Sequence, residues 1–315
     1  MAKKIKDLKV ETYTPANMPI SLAKSIDAIY DGFGDGSQEY LGIRTGLKGL
    51  DEATLGISGL IVLSGKAGGG KTSLALQIAY GSCSTSDTPV IIYSLEMSKR
   101  QILARLLSQI SGIEQKKIFR AGRQAGDFDY SLSKDDYKAL ETARQELKAL
   151  GDKIYIITRV DNDITFDLVK EQIGIVKSLH KSDNVLVVID HLQVFNVDRE
   201  KNYYADQIGK ETALINGFKD LQEKTNATIL LISQENKSEY NKGKIVAVKG
   251  SVDIIYLADM VMQIVGDDKN DNEDIIEVFD IEQEVKLKIN KNRYGETRAI
   301  KLIFEGKTCR FKETK

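Results

Sequence analysis

Leu60-Ile61-Val62-Leu63-Ser64-Gly65-Lys66-Ala67-Gly68-Gly69-Gly70-Lys71-Thr72-Ser73-Leu74-Ala75-Leu76-Gln77-Ile78-Ala79 decides the fold. An apolar, strand-like run leads into a glycine-rich turn, and the turn leads into an amphipathic helix. Residues 65–72 fit GxxxxGKT, the phosphate-binding P-loop, in the strand–turn–helix context that this loop requires. The backbone of Gly65, Lys66, Ala67, Gly68, Gly69, Gly70, Lys71, Thr72 and Ser73 is therefore predicted to wrap the phosphates of a nucleoside triphosphate, taken here as ATP. Glycines let the backbone approach closely, and the helix that follows offers the positive end of its dipole. Lys71 is placed to reach the β- and γ-phosphates, and Thr72 to ligate Mg²⁺.

Outward from this loop, apolar runs alternate with amphipathic segments, the signature of an α/β fold with a largely parallel central sheet covered on both faces. Strands are predicted at 60–64, 90–95, 154–157, 185–189 and 228–232, and their near-continuous Val, Ile and Leu content implies burial of both faces. Helices are predicted over 133–150, with Ser133 as N-cap, and over 165–179. Residues 266–284 are strongly acidic and read as a solvated loop or extension. Residues 285–290 and 297–304 flank Arg293-Tyr294-Gly295-Glu296 and predict a C-terminal antiparallel hairpin with a basic tip. Residues 1–40 divide into a lysine-bearing tail and a short linker helix that places Leu22, Ile26, Ile29 and Tyr30 on one face. That face is expected to pack either on its own domain or on a neighbouring subunit. One main domain, 41–315, then holds the rest.

The 315 residues, 42% hydrophobic and 29% charged, suffice for a sizeable core. No apolar run is long enough to span a membrane, and the N-terminus has basic residues without an apolar signal region, so a cytoplasmic location is expected. Cys83 and Cys309, with His180 and His191, show no metal-ligand spacing and no disulfide framework. A net charge of −1 gives no bulk attraction to nucleic acid, so any DNA contact must come from local basic loops or from assembly.

In an open parallel sheet, ligands bind beyond the carboxyl ends of the strands, so polar residues that end apolar strands belong together. Four such ends occur here: the P-loop itself, Glu96 after 90–95, Asp190 after 185–189, and Ser233-Gln234 after 228–232. Phosphoryl transfer to water needs neutralised charge and an aimed nucleophile. Asp190 is assigned to the metal shell as the Walker B acid, and Glu96 to orienting and deprotonating water. Gln234 is positioned to sense the γ-phosphate and relay it to the loop that follows.

Ser94-Leu95-Glu96-Met97, Ile189-Asp190-His191-Leu192-Gln193, Ile232-Ser233-Gln234, Gly250-Ser251 with Ala258-Asp259, and Lys291-Asn292-Arg293, all behind one P-loop, together resemble the RecA-like C-terminal motor domain of DnaB-type replicative helicases. The likeness runs over about residues 20–312. It implies a homo-oligomeric, hexameric ring that hydrolyses ATP between subunits and moves on single-stranded DNA during replication. It further implies that Lys291 and Arg293 reach the neighbour's nucleotide, Arg293 as an arginine finger; a solvated hairpin tip is the alternative. Arg105 matches a family arginine or lies on a helix surface.

Departures from the family pattern are also present. Residues 1–40 are too few for the family's usual N-terminal domain, which bears on primase coupling and leaves a loader or a primase as candidate partners. His191 stands where the family often has tyrosine. The loop before Gly250 reads Val246-Ala247-Val248-Lys249 in place of the usual arginine and glutamate. DNA contacts are expected from Arg199 and Lys201, near Tyr203 and Tyr204, and from Lys242, Lys244 and Lys249; charged surface loops are the alternative. Two other functions stay open: a recombinase-like DNA-binding filament, and a non-motor ATPase or loader that joins a host helicase ring.

Overall fold

The computed structural model describes residues 40–120, 130–159, 161, 164–192, 195, 207–234, 252–266 and 282–314. The candidate DNA-contacting residues Arg199, Lys201, Lys242, Lys244 and Lys249, and the linker helix, lie outside the described residues.

The described residues form nine strands in one sheet, in the order β3-β2-β4-β5-β1-β6-β7-β8-β9. The parallel part comprises β1 (Leu60–Gly65), β2 (Val90–Ser94), β3 (Ile154–Thr158), β4 (Leu186–Asp190), β5 (Thr228–Gln234) and β6 (Met260–Gly266). β7 (Glu282–Asn292), β8 (Ala299–Glu305) and β9 (Arg310–Glu313) continue it as an antiparallel meander. The helices are α1 (Lys48–Thr54), α2 (Lys71–Ser86), α3 (Lys99–Ser111), α4 (Gln115–Arg120), α5 (Lys134–Leu150), α6 (Phe166–His180), α7 (Gln207–Thr225) and α8 (Val252–Leu257).

Successive strand residues point to opposite faces, and both faces are covered here. Ile61 and Leu63 pack with Leu74 and Ile78 of α2 and with Ile102 and Leu106 of α3. Leu60 and Val62 pack on the other side with Val169 and Ile173 of α6 and with Leu214 and Phe218 of α7. Every residue of β1, β2 and β4 is buried as a result. Two-sided burial fails at β3, which is mostly half-buried because it forms the sheet edge beside β2, and in β7, β8 and β9, where buried residues alternate with exposed or half-buried ones.

The predicted helix starts are present with their caps. The Ser133 side chain accepts from the Asp136 amide while Asp136 accepts from the Ser133 amide, and Thr165 accepts from the Leu168 amide. Such caps satisfy backbone donors that the first turn leaves without helical partners.

The C-terminal third differs from expectation in its boundaries. The ends of the predicted acidic loop are strand: Gly266 closes β6 and Glu282 opens β7. Residues 267–281 lie outside the described residues. β6 and β9 were absent from the sequence-based strand set. β6 pairs in parallel with β1 on one side and antiparallel with β7 on the other, so it is the strand at which the sheet changes direction.

Candidate active site

The strand registers bring the predicted residues to one end of the sheet. Gly65 is level with Gln234 on β5, and Ser94 of β2 is level with Asp190 of β4. The Leu95 amide donates to the Asp190 carbonyl at 2.7 Å, so Glu96 leaves the sheet next to Asp190. A cleft of about 310 Å³ results, lined by Lys71, Thr72, Glu96, Arg105, Asp190 and Gln234 among others. This is the lower end of ordinary ligand pockets, roughly 300–1,000 Å³, and suits a polyphosphate.

The loop is packed against the C-terminal meander. Gly70 has a φ of +82°, and a Cβ there would lie 2.8 Å from Phe311 Cζ and 3.0 Å from Phe304 Cζ, whose rings stack. Glycine is thus required both by the left-handed backbone and by the aromatic floor. The Gln77 side chain on α2 exchanges two 2.8 Å hydrogen bonds with the backbone of Phe311, pinning β9 beneath the same helix. Gln109 of α3 donates to the carbonyls of Ser73 and Cys309, each at 2.7 Å. None of these contacts was anticipated from the sequence, because glutamine and phenylalanine carry no motif that names their partner.

Lys71 is buried, and its ammonium donates to the Gly65 carbonyl at 2.8 Å and the Lys66 carbonyl at 2.7 Å. The Thr72 hydroxyl donates to Asp190 Oδ2 at 2.9 Å. Burial pushes the Asp190 carboxyl above its ordinary value; the Thr72 hydrogen bond opposes that shift and the nearby Glu96 charge adds to it. A hydroxyl and a buried carboxylate at this spacing are hard oxygen donors of the kind Mg²⁺ takes, so these residues fit the metal expected with a nucleotide. His191 is also drawn in. Its ring is buried, and Nδ1 stands 3.2 Å from Glu96 Oε1 without hydrogen-bond geometry.

Arg105 lines the cleft from α3, with its Nε buried and without a hydrogen-bond partner. Cys309 lines it from the β8–β9 turn, its thiol pushed up chiefly by burial. Cys83 is likewise buried, at about 12 for the same reason, and both cysteines are free.

Lys291 and Arg293 do not line this cleft. Lys291 is level with Val261 on β6, and β6 runs parallel to β1 with Val261 level with Val62. The β7 tip therefore sits towards the opposite end of the sheet from the P-loop, with Lys291 three residues or about 10 Å back from Gly65 along the strand direction at about 3.3 Å per residue. The Lys291 ammonium donates to three carbonyls at the end of α8, Ile255 at 2.7 Å, Tyr256 at 2.9 Å and Ala258 at 2.6 Å. Burial, then the neighbouring Arg293 charge, lowers its pKa. Arg293 donates to Asp259 Oδ1 at 2.8 Å and to the Tyr256 carbonyl at 2.9 Å.

Asp259 is the hub of that end. Its Oδ2 accepts from the Leu60 amide at 2.8 Å and from Lys219 of α7 at 2.9 Å. Burial acts to raise this carboxyl, but the Leu60 amide, Lys219 and Arg293 together hold it below its ordinary value.

Residues 42–313 match the family model described as the DnaB-like helicase C terminal domain. The chain belongs to that family. It is 27% identical to the replicative DNA helicase DnaB of Pasteurella multocida (strain Pm70), over 94% of this chain and 61% of that protein. It is 25% identical to a probable plasmid replicative DNA helicase of Chlamydia muridarum, over 88% of this chain and 56% of that protein. The chain thus spans less than two thirds of these relatives. Among solved structures, one described as an ATPase domain superposes with a TM-score of 0.77 at 20% identity, covering 94% of this chain and 99% of that one. A DnaB-like replicative helicase, described with its interactions with primase, superposes with a TM-score of 0.78 at 20% identity, covering 94% and 69%. The chain shares the fold of these two structures. No helix among the described residues is long and apolar enough to cross a membrane.

Proposed function

We propose that this chain is the ATP-hydrolysing motor of a DnaB-type DNA helicase, acting in the cytoplasm as a homo-oligomeric ring, of six subunits by family likeness, on single-stranded DNA. The observation that carries this reading is the separation just described. Lys71, Thr72, Glu96, Asp190 and Gln234 converge on one cleft, whereas Lys291 and Arg293 lie at the far end of the sheet, where a neighbouring subunit's cleft can meet them.

In this reading, the P-loop backbone and Lys71 bind the β- and γ-phosphates of ATP. Thr72 and Asp190 hold Mg²⁺, which when bound neutralises charge on the phosphate oxygens. Glu96 orients water for in-line attack and takes its proton. Gln234 contacts the γ-phosphate and passes its presence or loss to residues 235–251, which contain Lys242, Lys244 and Lys249. Arg293 and Lys291 of the next subunit neutralise the leaving diphosphate. Arg199 and Lys201 supply further phosphate contacts along the strand, and a loader or primase remains a candidate partner.

The test is ATP turnover with and without single-stranded DNA, together with displacement of a strand from a forked duplex. DNA-stimulated turnover with strand displacement is expected. Turnover indifferent to DNA, with no strand displaced, defeats the motor reading.

A further inference from the structure

We propose that Glu96, Asp190 and His191 form a divalent-cation site with one imidazole and two carboxylate ligands, and that this site takes Mn²⁺ in preference to Mg²⁺. One ligand atom from each of the three residues lies within 4.8 Å of the other two. The His191 side chain is only 8% exposed, and its Nδ1 has no hydrogen-bond partner although it faces Glu96 Oε1 at 3.2 Å. An unsatisfied buried polar atom costs about 1–3 kcal/mol, and a cation between the three groups would remove that cost.

The spacing agrees with shared coordination. Two ligands about 2.1 Å from one ion and at right angles are about 3.0 Å apart, close to the observed 3.2 Å. The Glu96 side chain is half exposed and so can turn towards an ion held by the other two groups. Asp190 and Glu96 also repel one another, so a cation between them relieves like charge as well as filling the nitrogen.

Imidazole is what changes the choice of metal. Mg²⁺ takes oxygen ligands and keeps its waters, whereas first-row transition cations accept nitrogen. Thr72 and Asp190 alone make an oxygen site for the metal that travels with a nucleotide, and His191 adds a donor that Mg²⁺ uses poorly. A cation in the mixed site also engages Glu96, the carboxylate needed as base, so its occupancy and ATP turnover compete. That last consequence rests on the hydrolysis reading above; the binding itself does not.

Titrate the nucleotide-free full chain with Mn²⁺, following free ion by electron paramagnetic resonance, and record electron spin-echo modulation of the bound ion. One tight Mn²⁺ per chain is expected, retained in excess Mg²⁺ and showing ¹⁴N modulation from a bound imidazole. His191→Asn should weaken binding about tenfold or more and remove the nitrogen signal. Glu96→Gln, which keeps the imidazole, should weaken binding while retaining that signal. Bound Mn²⁺ without ¹⁴N modulation, equal affinity in His191→Asn, or ready displacement by Mg²⁺ overturns the site. Binding of a fluorescent ADP analogue in Mg²⁺, measured in parallel, separates the two readings. Its absence defeats the nucleotide site and leaves the Mn²⁺ result standing, and its presence without a nitrogen signal defeats only the mixed site.

Discussion

The two ends of the sheet carry the two groups of functional candidates, and they are built in opposite ways. At the carboxyl end of β1, polar groups line an open cleft, and both His191 Nδ1 and Arg105 Nε are buried without hydrogen-bond partners. At the other end, Lys291 and Arg293 are engaged by the carbonyls that close α8 and by Asp259. The first end is prepared for something from outside the chain. The second can serve a neighbouring subunit only by giving up contacts with its own, so its action carries a cost that the cleft residues do not face.

The largest effect expected from this contrast is at Arg293. Arg293→Ala should lower kcat by about 10³–10⁵ while sparing nucleotide affinity, as for an arginine finger. Mixing Arg293→Ala with Lys71→Ala subunits should restore part of the turnover, because some interfaces combine two intact halves. If verified mixed assemblies show no recovery, the far end does not act on a neighbour.

On the cleft side, Glu96→Gln should reduce kcat by about 10²–10⁴ with ATP still bound, the range for a lost general base. Equal loss of binding and turnover in equilibrium titrations would move Glu96 out of the base role.

Asp259→Asn probes the structural share of the far end. Removing one partner from a buried ion pair destabilises by about 3 kcal/mol at the lower end of the usual range, appropriate here because Arg293 is partly exposed. Because the folded carboxyl is held below its ordinary value, its contribution is complete above about pH 3.9. That contribution is lost as pH falls through the depressed folded value. Denaturant melts across that acid range should show this limb in the parent chain and not in the variant.

The smallest effect belongs to Gly70→Ala, where a methyl would meet Phe311 and Phe304. A loss of about 1–3 kcal/mol is expected from overpacking, read as a lower melting temperature along with weaker nucleotide binding. An unchanged melting temperature would mean that the aromatic floor yields.

The parallel core was legible because buried strands announce themselves as unbroken Val, Ile and Leu runs, and the P-loop, Glu96, Asp190 and Gln234 because each ends such a run. β9 was not, since Arg310-Phe311-Lys312-Glu313 holds one apolar residue and is a strand only because β8 lies beside it. β6 escaped for a related reason: its role as the turning point depends on β1 and β7 together. His191 was visible as a departure from the family's tyrosine, but the burial of its ring against Glu96 is a tertiary fact that no local pattern encodes. Arg105 was left between a family arginine and a helix-surface residue, and α3 turns it into the cleft.

The position of β1 has a consequence for how the chain comes into being. Its two neighbours are Thr228–Gln234 and Met260–Gly266, so during synthesis this apolar strand leaves the ribosome long before either partner exists. The nascent chain must shelter Leu60-Ile61-Val62-Leu63 until β5 and then β6 have been translated. Such non-local pairing folds slowly and exposes aggregation-prone surface in the interval.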